Sequence, residues 1–212
     1  MPDRPALTRA RIVDAASRVA DGGGLGSVSM RNVGKELGVE AMSLYHLITG
    51  KDALLDALAD WVFAGIALPD LDDPWRPAMA ARAASARTVL SRHPWGLGLI
   101  ECRRNPGPAL LRHHDTVLGC LRRSGFPVAL AAHAFSVIDA YVHGFVLTEL
   151  NLPFEPGEAT EEFLETLALP VHDYPHLAEM IAEQVRGREY AYAGEFTYGL
   201  ELILDGLEER LG

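Results

Sequence analysis

Residues 29–51 read SMRNVGKELGVEAMSLYHLITGK, and this stretch constrains the fold more than any other. Met30, Val33 and Leu37 recur at helical spacing behind Ser29, a good N-cap, so about two turns of amphipathic helix are expected. Gly38 ends that helix, because glycine enters the left-handed backbone region without a steric penalty. Val39 can then turn inward before a second short helix starts near Glu40 or Ala41 and carries Leu44 to the core. The pattern is a helix-turn-helix. Where such a motif binds DNA, its second helix enters the major groove with its first residues at base edges, here Ala41, Met42 and Ser43. Tyr45, His46 and Lys51 would then reach phosphates, and Ser29 and Arg31 open the first helix of the motif. Spacing alone serves a tight αα-hairpin inside an ordinary helical bundle equally well.

The rest of the chain keeps the helical period. Thr8 can cap a first helix with Ile12, Ala15, Ala16 and Val19 on its apolar stripe, ended by the glycines at 22–24. A long helix over 51–66 presents Leu54, Leu58, Trp61 and Gly65 on one face. Further helices are expected over 75–92, broken by His93-Pro94, from Ala109 to a stop at Gly125, and over 128–150, the most apolar of all. In that last helix Phe135, Asp139 and Val142 share one face, and Val137, Tyr141 and Phe145 another. Two acidic helices over 158–169 and 173–186 precede a closing helix over 195–211, with Phe196, Leu200, Ile203, Leu207 and Leu211 in a stripe. No strand alternation occurs, so the chain is all-α. Its expected parts are a helix-turn-helix DNA-binding domain over 1–50, a connecting helix over 51–68 and a helical ligand-binding and dimerisation domain over 69–212.

Composition narrows the function. With 212 residues and 49% apolar content, the chain can bury a real core. Apolar runs are interrupted before the ~20 residues of a membrane span, and the N-terminus lacks a signal peptide's apolar stretch, so a cytoplasmic protein without membrane partners is expected. Cys102 and Cys120 lack metal-knuckle spacing and read as buried free thiols. The net charge of −10 argues against non-specific coating of nucleic acid. Residues 1–60 hold seven Lys or Arg against eight Asp or Glu, so most of the acidic excess lies outside the helix-turn-helix.

The stretch LGVEAMSLYHLITGKDALLDAL resembles the recognition-helix signature of TetR-family transcriptional repressors of bacteria, in which Leu-Gly-Val, Leu-Tyr and a basic residue opening a long helix stand at these distances. The C-terminal region resembles the tetracycline-repressor branch in Trp75 after an acidic loop, Val89-Leu-Ser-Arg-His93, Ser124-Gly-Phe126, Gly144-Phe-Val-Leu147 and Tyr198-Gly-Leu-Glu-Leu-Ile203. The resemblance implies a homodimer in which the helices over 128–150 and 195–211 of two chains form a four-helix bundle, with Tyr141, Phe145, Leu200, Ile203 and Leu207 at the seam. It also implies a small-molecule inducer. A cavity lined by Ala86, Leu99 and Phe135 is expected, with Arg82, Arg103 and Asp139 as polar candidates; Arg82 or Arg103 could equally pair with Asp139 or Glu101. Arg82, Ala86 and Ala67 stand where that branch holds its drug with asparagine, phenylalanine and histidine, so tetracycline fits poorly. Leu47 replaces the usual histidine after Leu-Tyr-x, removing one phosphate donor.

His113-His114-Asp115 offers metal-ligand types, but adjacent helical residues point about 100° apart, and a solvated helix face is the simpler reading. His133 and His143 read as core or interface histidines. Ser136, His143 and Asp139 could be assembled as a hydrolytic triad only without a nucleophile elbow, so no enzyme, cofactor or metal is expected. The sequence therefore points to a ligand-responsive repressor that binds a palindromic operator as a homodimer. The rival is a dimeric helical carrier or interaction module that does not bind DNA.

Overall fold

The computed structural model describes residues 6–100, 106–152, 169–185 and 192–212, and every regular element among them is helical. The chain divides into two compact units, Met1–His143 with Leu211 and Gly144–Arg210 with Gly212.

In the first unit, α1 (Arg9–Ser27) starts where expected, the Thr8 hydroxyl accepting from the Arg11 N–H at 3.3 Å. The glycines break it as the sequence predicts, with non-helical backbone at Gly23 and Gly24. One more turn then forms as far as Ser27, whose hydroxyl donates to the carbonyls of Val19 (2.8 Å) and Gly24 (2.7 Å) and folds the turn back onto the helix. In α2 (Met30–Leu37) the Ser29 hydroxyl accepts from Asn32 N–H at 3.1 Å, and Gly38 adopts the expected left-handed conformation at φ 66°. One turn, α3 (Ala41–Leu44), follows, then α4 (Lys51–Gly65). Ile12, Val28, Val33, Leu44, Ile48, Leu54 and Leu58 fill the common core, each at most 1% exposed. An Arg18–Glu36 ion pair at 2.8 Å ties α1 to α2 on the surface.

Gly34 sets how closely the two helices of the motif approach. A Cβ there would lie 2.9 Å from the Val39 carbonyl oxygen and 3.3 Å from the Ala41 Cα, both backbone atoms that cannot swing aside. Alanine would gain about 1 kcal/mol in helix propensity but would overpack the crossing, which typically costs about 1–3 kcal/mol. Gly34→Ala is therefore expected to lower the urea midpoint, and a raised midpoint would show that the crossing has slack.

The unit continues with α5 (Trp75–Arg92), α6 (Trp95–Ile100), α7 (Pro108–Arg123) and the first part of α8 (Val128–Glu149). Their core holds Met79, Leu90, Val117, Leu121 and Phe126, with Trp75 edge-on to Phe126 at 4.9 Å between ring centres. No residue of its own caps α7. Asp60 of α4 does so instead, its Oδ1 accepting from the N–H groups of Ala109 (2.8 Å) and Leu110 (3.0 Å). The helix that follows the recognition segment is thus bolted to the start of α7. Against expectation, α8 reaches the length and hydropathy of a membrane span. Its uninterrupted apolar runs are short because Asp139 and two histidines punctuate it, yet an 18-residue window within it has a mean hydropathy of 1.4. His133 is exposed and His143 half-buried, so His133 is not a core histidine.

In the second unit, α9 (Pro175–Met180) passes into a π-helical stretch, Ile181–Val185, where one continuous α-helix is expected. The closing helix, α10 (Ala193–Leu211), packs Phe196 edge-on to Phe145 at 5.1 Å, while Tyr192 stacks on Phe145 at 4.9 Å. The helix expected over 158–169 lies outside the described residues.

Candidate DNA-binding and ligand sites

The recognition segment presents its side chains because two buried anchors hold its back. Leu44 and Ile48 are inside, and the amides of Leu47 (3.0 Å) and Ile48 (2.9 Å) both donate to the Leu44 carbonyl, continuing the curl of α3 toward α4. Outward face Met42, 73% exposed, Ser43, Tyr45, His46 and Leu47. An exposed methionine on a one-turn helix has no packing role to explain it, and its methyl suits a thymine methyl in the major groove. Ala41 is half-buried against the motif. Ser29 is also half-buried and its oxygen is committed to the α2 cap, so only its proton is free for a phosphate. Arg31 and Lys51 are exposed, and Lys51 opens α4 directly after Gly50, which has no side chain to cap it.

The expected ligand residues divide. Ala86 and Leu99 are buried, at 5% and 3% exposure, on α5 and α6. Arg103 lies outside the described residues. Arg82, Phe135 and Asp139 do come together, but with the charges already matched. Arg82 Nη2 donates to Asp139 Oδ1, Arg82 Nε donates to His113 Nε2 at 3.0 Å, and the guanidinium lies over the Phe135 ring at 5.1 Å. Arg82 and Asp139 are thus mutually neutralised, and neither is a lone charge awaiting a ligand.

His113 corrects the expectation of a solvated face. It is 1% exposed, edge-on to Phe63 at 5.5 Å, whereas His114 is half-buried with Nδ1 3.1 Å from the Leu110 carbonyl and Asp115 is exposed. The apolar face of α7 passes through 113, 117, 120 and 121, a register that the polar character of the trio disguises. Burial, and then the neighbouring Arg82 charge, lower the His113 pKa to about 4. The ring is therefore neutral at pH 7. Unfolded, it titrates near 6.5, so between about pH 6.5 and 4 the unfolded chain binds the extra proton and stability falls as pH falls. From pH 7.5 to 5 the loss from this group should be about 2 kcal/mol. Urea unfolding at the two pH values checks it, and His113→Phe should flatten the dependence.

Two open clefts lie elsewhere in the first unit. One of about 620 Å³ is bounded by Arg9, Asp56, Asp60, Trp61, Pro106 and Pro108, and one of about 360 Å³ by Trp61, Val89, Arg92 and His93. Beside them a contact that spacing could not reveal ties α1 to α6. Asp21 Oδ1 accepts from Trp95 Nε1 at 2.7 Å and lies 2.7 Å from His93 Nδ1.

Of the residues expected at the dimer seam, Phe145, Leu200 and Leu207 are buried and Tyr141 and Ile203 are half-buried. Leu200 and Leu207 are 4% and 6% exposed within a single chain, so they are core side chains of the second unit and not a surface open to a partner. Ile203, on the same helix, is half-buried, as is Tyr141, while Phe145 is buried under Tyr192 and Phe196. The large apolar groups that α10 exposes are Tyr198 (67%) and Leu202 (57%), and α8 exposes Val137 and Leu147. A stripe read at 3.6-residue spacing finds the more apolar face, which here is the one the chain covers itself.

Residues 12–58 match the family model described as bacterial regulatory proteins, tetR family, and residues 68–211 match tetracyclin repressor-like, C-terminal domain. The chain belongs to the TetR family. It is 36% identical over 217 residues to the HTH-type transcriptional repressor DrrR1 of Streptomyces coeruleorubidus, covering 97% of this chain and 78% of that one. It is 26% identical to the class D tetracycline repressor protein of Escherichia coli, covering 97% and 91%. Among solved structures it is similar to the TetR family protein ActR of Streptomyces coelicolor in complex with actinorhodin, with a TM-score of 0.78, 26% identity and 96% of each chain covered. DrrR1 and the class D protein are named as repressors, and the family whose model residues 12–58 match is one of bacterial regulatory proteins.

Proposed function

We propose that this protein is a cytoplasmic, ligand-responsive repressor that binds a palindromic DNA operator as a homodimer and is released by a small, mostly apolar molecule. The observation that carries the reading is the recognition segment, where Met42, Ser43, Tyr45 and His46 face outward over two buried anchors. A carrier without DNA binding has no use for that face. Ligand response is supported by the solved complex of ActR with actinorhodin. Arg82 and Ala86, in place of asparagine and phenylalanine, argue against tetracycline itself. Homodimerisation is supported by the exposed Tyr198 and Leu202.

The lever is α4. It begins at Lys51 beside the recognition segment, and its Asp60 caps α7, so a ligand that shifts α7 changes the spacing of two recognition helices. Induction by 100-fold needs nearly 3 kcal/mol of difference in ligand affinity between the two conformations. Arg31→Ala should lose about 1–3 kcal/mol of operator binding and relax one base position, whereas Lys51→Ala should weaken all sequences alike and flatten the salt dependence. Anisotropy titrations against single-base operator variants check both. The reading as a whole is tested by selecting bound DNA from a random pool. A palindrome with half-sites about one helical turn apart is expected, and recovery of no common sequence would favour the carrier.

A further inference from the structure

The cluster of Arg82, His113 and Asp139 holds more donors than the protein satisfies. Arg82 is 3% and His113 1% exposed, yet Arg82 Nη1 and His113 Nδ1 are buried with no hydrogen-bond partner. Because His113 Nε2 accepts from Arg82 Nε and the ring is neutral, its proton resides on Nδ1. Both orphans are therefore donors. A buried donor left unpaired forfeits its hydration with nothing in return, so such groups are retained where an acceptor meets them. The acceptor's charge is also constrained. Asp139 already offsets Arg82, and a carboxylate would bring a second, unmatched negative charge into this setting, which burial penalises far more than a neutral carbonyl. Around the donors stand Phe63, Phe135 and His114, the last two with ring centres 4.3 Å apart. Phe135, His114 and the Asp139 side chain are only half-buried, so the cluster has an accessible side.

We propose that this cluster is the polar end of the ligand site and that it selects a ring-bearing molecule with a neutral carbonyl oxygen over an anion or a plain hydrocarbon. The proposal rests on the ligand-responsive reading and goes beyond it in naming the chemistry. Three probes of one shape test it by calorimetry on the full chain: 2-acetonaphthone, 2-ethylnaphthalene and 2-naphthoate. The ketone should bind at least ~10-fold more tightly than either of the others. In His113→Phe the ketone's advantage over the hydrocarbon should shrink. In the paired replacement Arg82→Met with Asp139→Leu, which removes both charges and keeps the fold, it should fall to about 1. Naphthoate as the tightest ligand, equal binding of ketone and hydrocarbon, an unchanged preference in the paired variant, or no binding of the ketone would each overturn the proposal. Operator release by some other small molecule would still support the ligand-responsive reading, so the two can fail separately.

Discussion

Asp139→Ala should cost about 3–5 kcal/mol of folding stability, because it strands the Arg82 guanidinium at 3% exposure with the neutral His113 ring and the face of Phe135 but no counter-charge. That is a large share of the roughly 5–15 kcal/mol that holds a typical domain together. The loss reflects a charge left without its counter-charge and does not measure what the intact pair contributes. Replacing both partners, Arg82→Met with Asp139→Leu, should accordingly be near neutral, since desolvation of the pair offsets most of its attraction. In urea unfolding the single variant should therefore lose most of its midpoint while the paired one keeps it. A loss below about 1 kcal/mol for Asp139→Ala would mean that Arg82 finds water or another partner.

The second large effect is on assembly. Tyr198 and Leu202 lie one turn apart on α10 and are exposed in a single chain, so Tyr198→Glu with Leu202→Glu should leave the protomer folded. In a two-fold seam the change counts twice. Losing four buried apolar side chains at roughly 1.5 kcal/mol each or more removes on the order of 6 kcal/mol, before the cost of burying carboxylates. Ultracentrifugation should show monomer, and operator affinity should fall at least ~1000-fold because each half-site must then be held alone. Leu200→Ala and Leu207→Ala should behave differently, lowering stability by about 2–5 kcal/mol as core truncations. A dimer that survives the double glutamate change would place the seam elsewhere.

Elements with local causes were legible in the sequence. Ser29, Gly38 and Thr8 act through their own backbone neighbourhood, so the caps and the turn of the helix-turn-helix followed directly from residue type. The break at His93-Pro94 followed in the same way. What depends on pairing across long separations was not. Asp60 reaching 49 residues along the chain to cap α7, Asp21 gripping Trp95, and Arg82 committing donors to His113 and Asp139 have no periodic signature. The stripe on α10 meets a related limit, since its Leu200 and Leu207 are buried within a single chain. Period identifies an apolar face but not whether the chain or a partner covers it.

Whether the protein is a DNA-binding repressor is decided by titrating it against its selected DNA at a series of salt concentrations. Contacts with six to ten phosphates across two half-sites predict that affinity falls about 10³–10⁵-fold between 50 and 200 mM salt, and that a sequence with one half-site scrambled binds far more weakly at every concentration. A weak affinity that changes little with salt and does not distinguish the palindrome from the scrambled sequence would contradict the repressor and leave a dimeric carrier in its place.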